Sequence, residues 1–191
     1  SFNMAAYVLG KASKNPNKVA LKIVSTAAAE VWTYRHIDAA VRGTATGLLS
    51  QGVIAGDTIL MRLNNTPDFP IVYLASILIG AIPVPTAAQL TVHETTAIVQ
   101  EGNPALVVAA DKVARPLGHW PVLDQSDLAA MRTLAPATVQ MGDPNRPAYL
   151  IYTSGTSGKS RPVLHAHRAI WARRMMWDGW YGLRSQDIMM H

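Results

Sequence analysis

The sequence predicts an α/β fold, a layered sandwich with a largely parallel sheet. Two observations carry this. Short apolar runs alternate with segments of helical period along most of the chain, the pattern of strands joined by crossover helices. The run Thr58 to Leu63 reads as one continuous strand, apolar at Ile59, Leu60, Met61 and Leu63, as expected when both faces are covered.

The elements follow in order. Asn3 is a good N-cap for a helix over Met4 to Ala12, with Phe2 and Tyr7 placed as a hydrophobic staple. Val19 to Val24 reads as a strand, and Val31 to Thr33 as its hairpin partner. Thr33 caps a helix to about Gln51 with Ile37, Ala40, Val41 and Leu48 on one face. After the Thr58 strand, Thr66-Pro67 supplies a cap and an N1 proline for another helix. Ile82 to Pro85 is a buried strand, and Thr91 to Glu94 a capping box opening a helix to about Glu101. Ala105 to Ala109 and Pro121 to Leu123 are strands, and Ser126 to Arg132 a short helix. Residues 133–147 hold three prolines, a glycine and little periodicity, and read as a surface linker. Strands over Ala148 to Thr153 and Pro162 to His165 follow, then a helix from about His167 to Trp180.

Composition excludes several classes. The 191 residues are 49% hydrophobic and 15% charged, which suits one globular body, residues 1–191, and not a disordered chain. Without cysteine there is no disulfide framework and no thiolate metal site. The apolar stretch Ile71 to Ile82 is too short to span a bilayer, and no N-terminal signal pattern is present. The net charge is +5 and the pI about 9.7, but the cations are scattered, which argues against nucleic acid as a partner.

The stretch Tyr152 to Arg161 carries the chemistry. It places four threonine and serine hydroxyls, two glycines and two cations between apolar runs, with a further hydroxyl at Ser160. Glycines let backbone N–H groups approach phosphate oxygens, and hydroxyls donate to them. Gly158-Lys159-Ser160 looks like the end of the P-loop pattern G-x-x-x-x-G-K-S/T, but that pattern needs glycine at 153, where threonine stands. A strand, not a helix, follows the loop, so the P-loop assignment fails on spacing and on context.

The stretch resembles the phosphate-binding loop of the adenylate-forming superfamily: acyl- and aryl-CoA synthetases, luciferases and peptide-synthetase adenylation domains. Their signature runs Y/F-T-S-G-T/S-T/S-G-x-P-K-G-V/I. Tyr152 to Gly158 match it; Ser160, Arg161 and Pro162 stand where proline, lysine and glycine are usual, and Val163 matches again. Leu164 to Arg168 resembles the histidine-containing continuation of benzoate-type ligases. Upstream, Val31 to Ile37, Asp57 to Ala75 and Gly80 to Pro85 resemble family motifs in family order.

The resemblance implies the N-terminal fragment of a cytoplasmic, ATP-dependent acyl- or aryl-CoA synthetase. Such an enzyme joins a small-molecule carboxylic acid to ATP as an acyl-adenylate with release of pyrophosphate, then forms a thioester with CoA. It implies ATP, Mg2+ and CoA for the full-length enzyme, and the missing C-terminal portion as partner. Thr153, Ser154, Gly155, Thr156, Ser157, Gly158 and Lys159 are then the phosphate-binding residues, with Arg161 in place of the family lysine. The family's catalytic lysine and metal-binding glutamate lie beyond this chain, which is therefore expected to be inactive alone. Two alternatives stay open: a degenerate, non-catalytic module, and a small kinase releasing ADP.

Other residues have plainer expectations. His165 and His167 read as packing and capping histidines, since a metal site needs further ligands nearby. Trp171, Trp177, Trp180 and Tyr181, with Met175 and Met176, read as core packing or an interface left exposed by truncation, ahead of an aromatic acyl pocket. Asn64 and Asn65 read as helix entry, His36 and His93 as solvated first-turn residues, and Asp143 and Asp187 as isolated loop carboxylates.

Overall fold

A computed structural model describes residues 1–10, 12–24, 29–153, 161–184 and 187. Helix α1 (Met4–Leu9) starts where Asn3 predicts. The Asn3 side-chain oxygen accepts from the Ala5 and Ala6 amides at 2.9 and 3.2 Å, and its amide group donates to the Ile77, Leu78 and Gln140 carbonyls. The staple forms, with the Phe2 and Tyr7 rings 5.5 Å apart. The helix ends three residues before the expected Ala12, because Gly10 takes the C-cap.

Strands β1 (Val19–Val24) and β2 (Ala29–Thr33) form the antiparallel hairpin. Thr33 caps α2 (Tyr34–Ser50), whose buried face includes Ile37, Val41, Ala45 and Leu48. Gly43 and Gly47 extend that face: a Cβ on Gly43 would lie 2.6 Å from the Arg132 carbonyl oxygen. This close approach seats α5 (Gln125–Met131) on α2.

The parallel sheet has the order β4 (Ile82–Pro85), β3 (Thr58–Arg62), β5 (Leu106–Ala109), β6 (Val122–Leu123). Helix α3 (Asp68–Leu78) links β3 to β4, and α4 (Val92–Gly102) links β4 to β5. Side-chain alternation divides the core. Ile59, Met61, Leu106 and Val108 join α1, α2 and α3 in one cluster; Leu60, Val84, Val107 and Ala109 join Val99 of α4 in another. Covering both faces explains the consecutive apolar residues Ile59 to Met61 and Leu106 to Ala109.

Two local expectations need correction. Thr66 does not cap α3: Pro67 takes the cap position with helical dihedrals, no side chain closes the end, and the Thr66 carbonyl instead accepts from Phe69 N–H. Asp68 in the first turn supplies the favourable negative charge there and pairs with Arg132. The α5 cap is Asp124, which forms a complete capping box with Asp127, so the helix starts one residue before Ser126.

The stretch between α5 and the next strand carries no regular element but is tied down. Ala137 N–H donates to Arg42, Gln140 N–H to Leu78, and Gly142 pairs with Phe2. Strands β7 (Pro147–Thr153) and β8 (Arg161–Ala166) then form an antiparallel pair beside β4, and α6 (Ala169–Gly179) follows. Helix α6 buries no residue, so the core-packing expectation for its aromatic residues fails: Trp180 is 85% and Met175 75% exposed. Trp171 makes one ring contact, edge-on to Phe2 at 5.0 Å.

Candidate functional site: the mouth of the β7–β8 hairpin

Strand β7 is held on both sides. Ala148, Tyr149 and Ile151 pack with the cluster of α1, α2 and α3, while Leu150 and Tyr152 pack with the α4 cluster. Burial, with the Glu101 carboxylate nearby, raises the Tyr152 hydroxyl pKa, so this tyrosine stays neutral. On β8 the His165 ring stacks on Tyr149 with centroids 4.5 Å apart and planes 11° from parallel.

The register runs Tyr149 with His165, Ile151 with Val163, Tyr152 with Pro162, and Thr153 with Arg161. The two outermost partners are thus the two expected site residues that bracket the loop. Both are exposed, and the Thr153 hydroxyl donates to the Arg161 carbonyl at 3.4 Å. The Arg161 guanidinium adds a forked cation on the solvent side of the hairpin. Pro162 fits because β8 pairs only with β7 among the described strands, and a proline is tolerated on an edge strand. Ser154, Gly155, Thr156, Ser157, Gly158 and Lys159 lie outside the described residues.

The base of the hairpin is a polar junction. His167 is wholly buried and its Nδ1 accepts the Met4 amide at 3.0 Å, which makes it a cap for α1. Burial and the neighbouring Arg146 cation push its pKa down to about 4, against a smaller upward pull from the Pro147 carbonyl. Arg146 donates to the Phe2, Asp143 and Gln140 carbonyls. Asp143 accepts from the backbone and side chain of Asn145, and Asp187 from the Arg184 amide. His36 and His93 are exposed in helix first turns, and Asn64 and Asn65 are exposed ahead of α3. Among the described residues, no group of three His, Cys, Asp or Glu could hold a metal ion.

Sequence reasoning missed Arg62. It is 0% exposed at the end of β3. Its guanidinium donates to the carbonyls of Ala114, Ala87, Ala88 and Leu90 and to the Thr86 hydroxyl. One cation thereby gathers the loops after β4 and β5 at the carboxyl edge of the sheet. The available signal was an arginine in a strand otherwise fit only for burial. A second omission is the Asp68–Arg132 ion pair, with the Arg132 guanidinium also 5.5 Å from the Trp32 ring centroid. Arg132 and Trp32, with Glu30 and His36, line an open cleft of about 430 Å³ that none of the expected site residues enters.

Comparison with known proteins bears on the whole chain. A family model described as AMP-binding enzyme matches residues 10–191. The 3-hydroxybenzoate--CoA/4-hydroxybenzoate--CoA ligase of Thauera aromatica is 25% identical over 179 residues, covering 81% of this chain and 33% of the ligase. The hybrid PKS-NRPS synthetase xenE of Xenoacremonium sinensis is 27% identical over 161 residues, covering 81% of this chain and 4% of that protein. A crystal structure of a benzoate CoA ligase from Burkholderia xenovorans LB400 superposes with a TM-score of 0.85 at 18% identity, over 98% of this chain and 39% of that one. The chain thus spans about a third of the length of the ligase it matches. No helix among the described residues is long and apolar enough to cross a membrane.

Proposed function

This chain belongs to the AMP-binding enzyme family, and from that premise we propose that the protein activates a carboxylic acid as its acyl-adenylate, with the β7–β8 loop gripping ATP. The carboxylate oxygen attacks the α-phosphorus, and the bond to the bridging oxygen of the β-phosphate breaks. Pyrophosphate leaves carrying the displaced electrons. The loop hydroxyls and amides from Thr153 to Gly158, with Lys159 and Arg161, take up the charge that builds on that leaving group. The fixed scaffold beneath them supplies positioning.

One observation carries this: the register that sets Thr153 opposite Arg161, both exposed, at the mouth of a loop rich in glycine and hydroxyls. The acid is aromatic and the second acceptor is the thiol of CoA, a choice supported by the hydroxybenzoate ligase among the relatives and by the His165-Ala166-His167 exit from the loop. A carrier-protein thiol is the competing acceptor, since a PKS-NRPS synthetase also aligns over most of the chain. The chain 1–191 acts as the amino-terminal portion of a longer, cytoplasmic enzyme, and the rest of that enzyme supplies the groups that hold Mg2+.

ATP–pyrophosphate exchange with a panel of aromatic and aliphatic acids tests the proposal on the full-length protein. Acid-dependent exchange, followed by CoA-dependent release of AMP, is expected. Release of ADP points to a kinase, and no exchange with any acid points to a non-catalytic relative. Residues 1–191 alone should give no turnover, and robust exchange by that piece refutes the assignment of essential groups to the rest of the enzyme.

A further inference from the structure

We propose that His167 is a positioning residue for the β7–β8 hairpin: by accepting the Met4 amide it fixes where β8 ends, and so holds Arg161 opposite Thr153. The inference rests on the reading of this hairpin as the ATP grip. His167 is tied to two distant segments. Its ring accepts from the first residue of α1, and its backbone N–H donates to the Arg146 carbonyl at 3.2 Å. The next residue repeats the tie, Arg168 N–H donating to Pro144 at 2.9 Å.

A ring that only filled space would not need a nitrogen. His167 Nε2 is buried without a hydrogen-bond partner among the described residues, a cost that an apolar side chain would avoid. What the imidazole gains is one directional bond across 163 positions of sequence. Between this clasp and the loop mouth lie the six residues of β8. An extended strand is stiff along its length, and sliding by one residue would reverse every side chain's face. Fixing position 167 therefore fixes position 161. The Tyr149–His165 stack, midway, keeps the two strands in phase.

The test uses the full-length protein with His167→Leu, which removes the acceptor, and His167→Asn, whose carboxamide oxygen can replace Nδ1. Hydrogen exchange is read on β7 and β8 against β3 and β5. His167→Leu should lower protection of the hairpin about tenfold, the worth of one good hydrogen bond, and leave β3 and β5 unchanged, while His167→Asn restores most of it. In pyrophosphate exchange, His167→Leu should raise the KM for ATP by a similar factor with a smaller change in kcat, again rescued by asparagine. If Leu and Asn behave alike, or if Leu lowers Tm while hairpin protection and the KM for ATP hold, the proposal is overturned. A wild-type protein without exchange activity sinks the adenylation reading and leaves hydrogen exchange to decide the clasp.

Discussion

Replacing Arg62 by lysine separates charge from geometry. The guanidinium serves five acceptors in two loops, four carbonyls and one hydroxyl. A lysine ammonium has three donors, so at least two acceptors lose their partner even in the best pose. The acceptors are part-buried, with Ala87 itself exposed, so each one left bare costs about 1 kcal/mol, the low end of the usual range. The expected loss for Arg62→Lys is then about 2 kcal/mol, a substantial share of a domain's usual stability of roughly 5–15 kcal/mol. Burial already lowers the Arg62 pKa, with Glu94 opposing weakly, so the site tolerates a cation only because it is fully ligated. Arg62→Met should also destabilise, because it strands every acceptor, although it removes the buried charge. Urea denaturation monitored by circular dichroism measures the loss, and hydrogen exchange at residues 86–90 and 111–116 should show those loops opening first. A lysine variant within about 1 kcal/mol of wild type, the value of a single ordinary hydrogen bond, would show that the two loops do not depend on the fork.

Further outcomes follow from the same structure. His167 has a folded pKa of about 4 against an ordinary value of 6.5. Below pH 6.5 the unfolded chain takes up a proton that the native ring refuses, so stability is complete above that value and falls as the pH drops towards 4. The contribution lost is about 2 kcal/mol at pH 5 and about 3 kcal/mol at pH 4; His167→Asn should lack it, as denaturation at pH 7 and pH 5 will show, and an identical slope in both proteins refutes the assignment. At Gly43 a new Cβ would meet the Arg132 backbone oxygen at 2.6 Å. Gly43→Ala should lower stability by about 1–3 kcal/mol despite alanine's better helix propensity, and a raised Tm would mean that α2 and α5 are not in such close contact. Arg161→Ala should weaken ATP binding at least about tenfold, given the roughly 1.5–3 kcal/mol of a charge-assisted bond, and Arg161→Lys should recover part of it. Unchanged binding in Arg161→Ala would remove this residue from the site.

Features written into a few adjacent residues could be read from sequence. The caps at Asn3, Thr33 and Thr91 depend on side chains two or three positions from the amides they serve, and all three form. The buried strands were legible because burial on two faces leaves only apolar choices, as at β5. Features that join distant segments were not legible. Nothing near Arg62 announces that its acceptors are carbonyls of residues 87, 88, 90 and 114, since a carbonyl belongs to every residue type. The clasp between His167 and Met4 is hidden for the same reason. Helix α6 misled because its aromatic content suits a core, while its placement leaves them on the surface. Of the candidate site, the two flanks Thr153 and Arg161 emerge paired as a strand–loop–strand pattern implies, and the loop between them is known by its residue types alone.

Strand β7 sits like a party wall between two rooms, with neighbouring side chains lodged in different layers. Loosening either room shifts the same wall. Substitutions under α4 and substitutions under α2 or α3, though far apart in sequence, should converge on one symptom: a changed response to nucleotide. Distance from the loop is therefore a poor guide to which residues are functionally silent in this molecule.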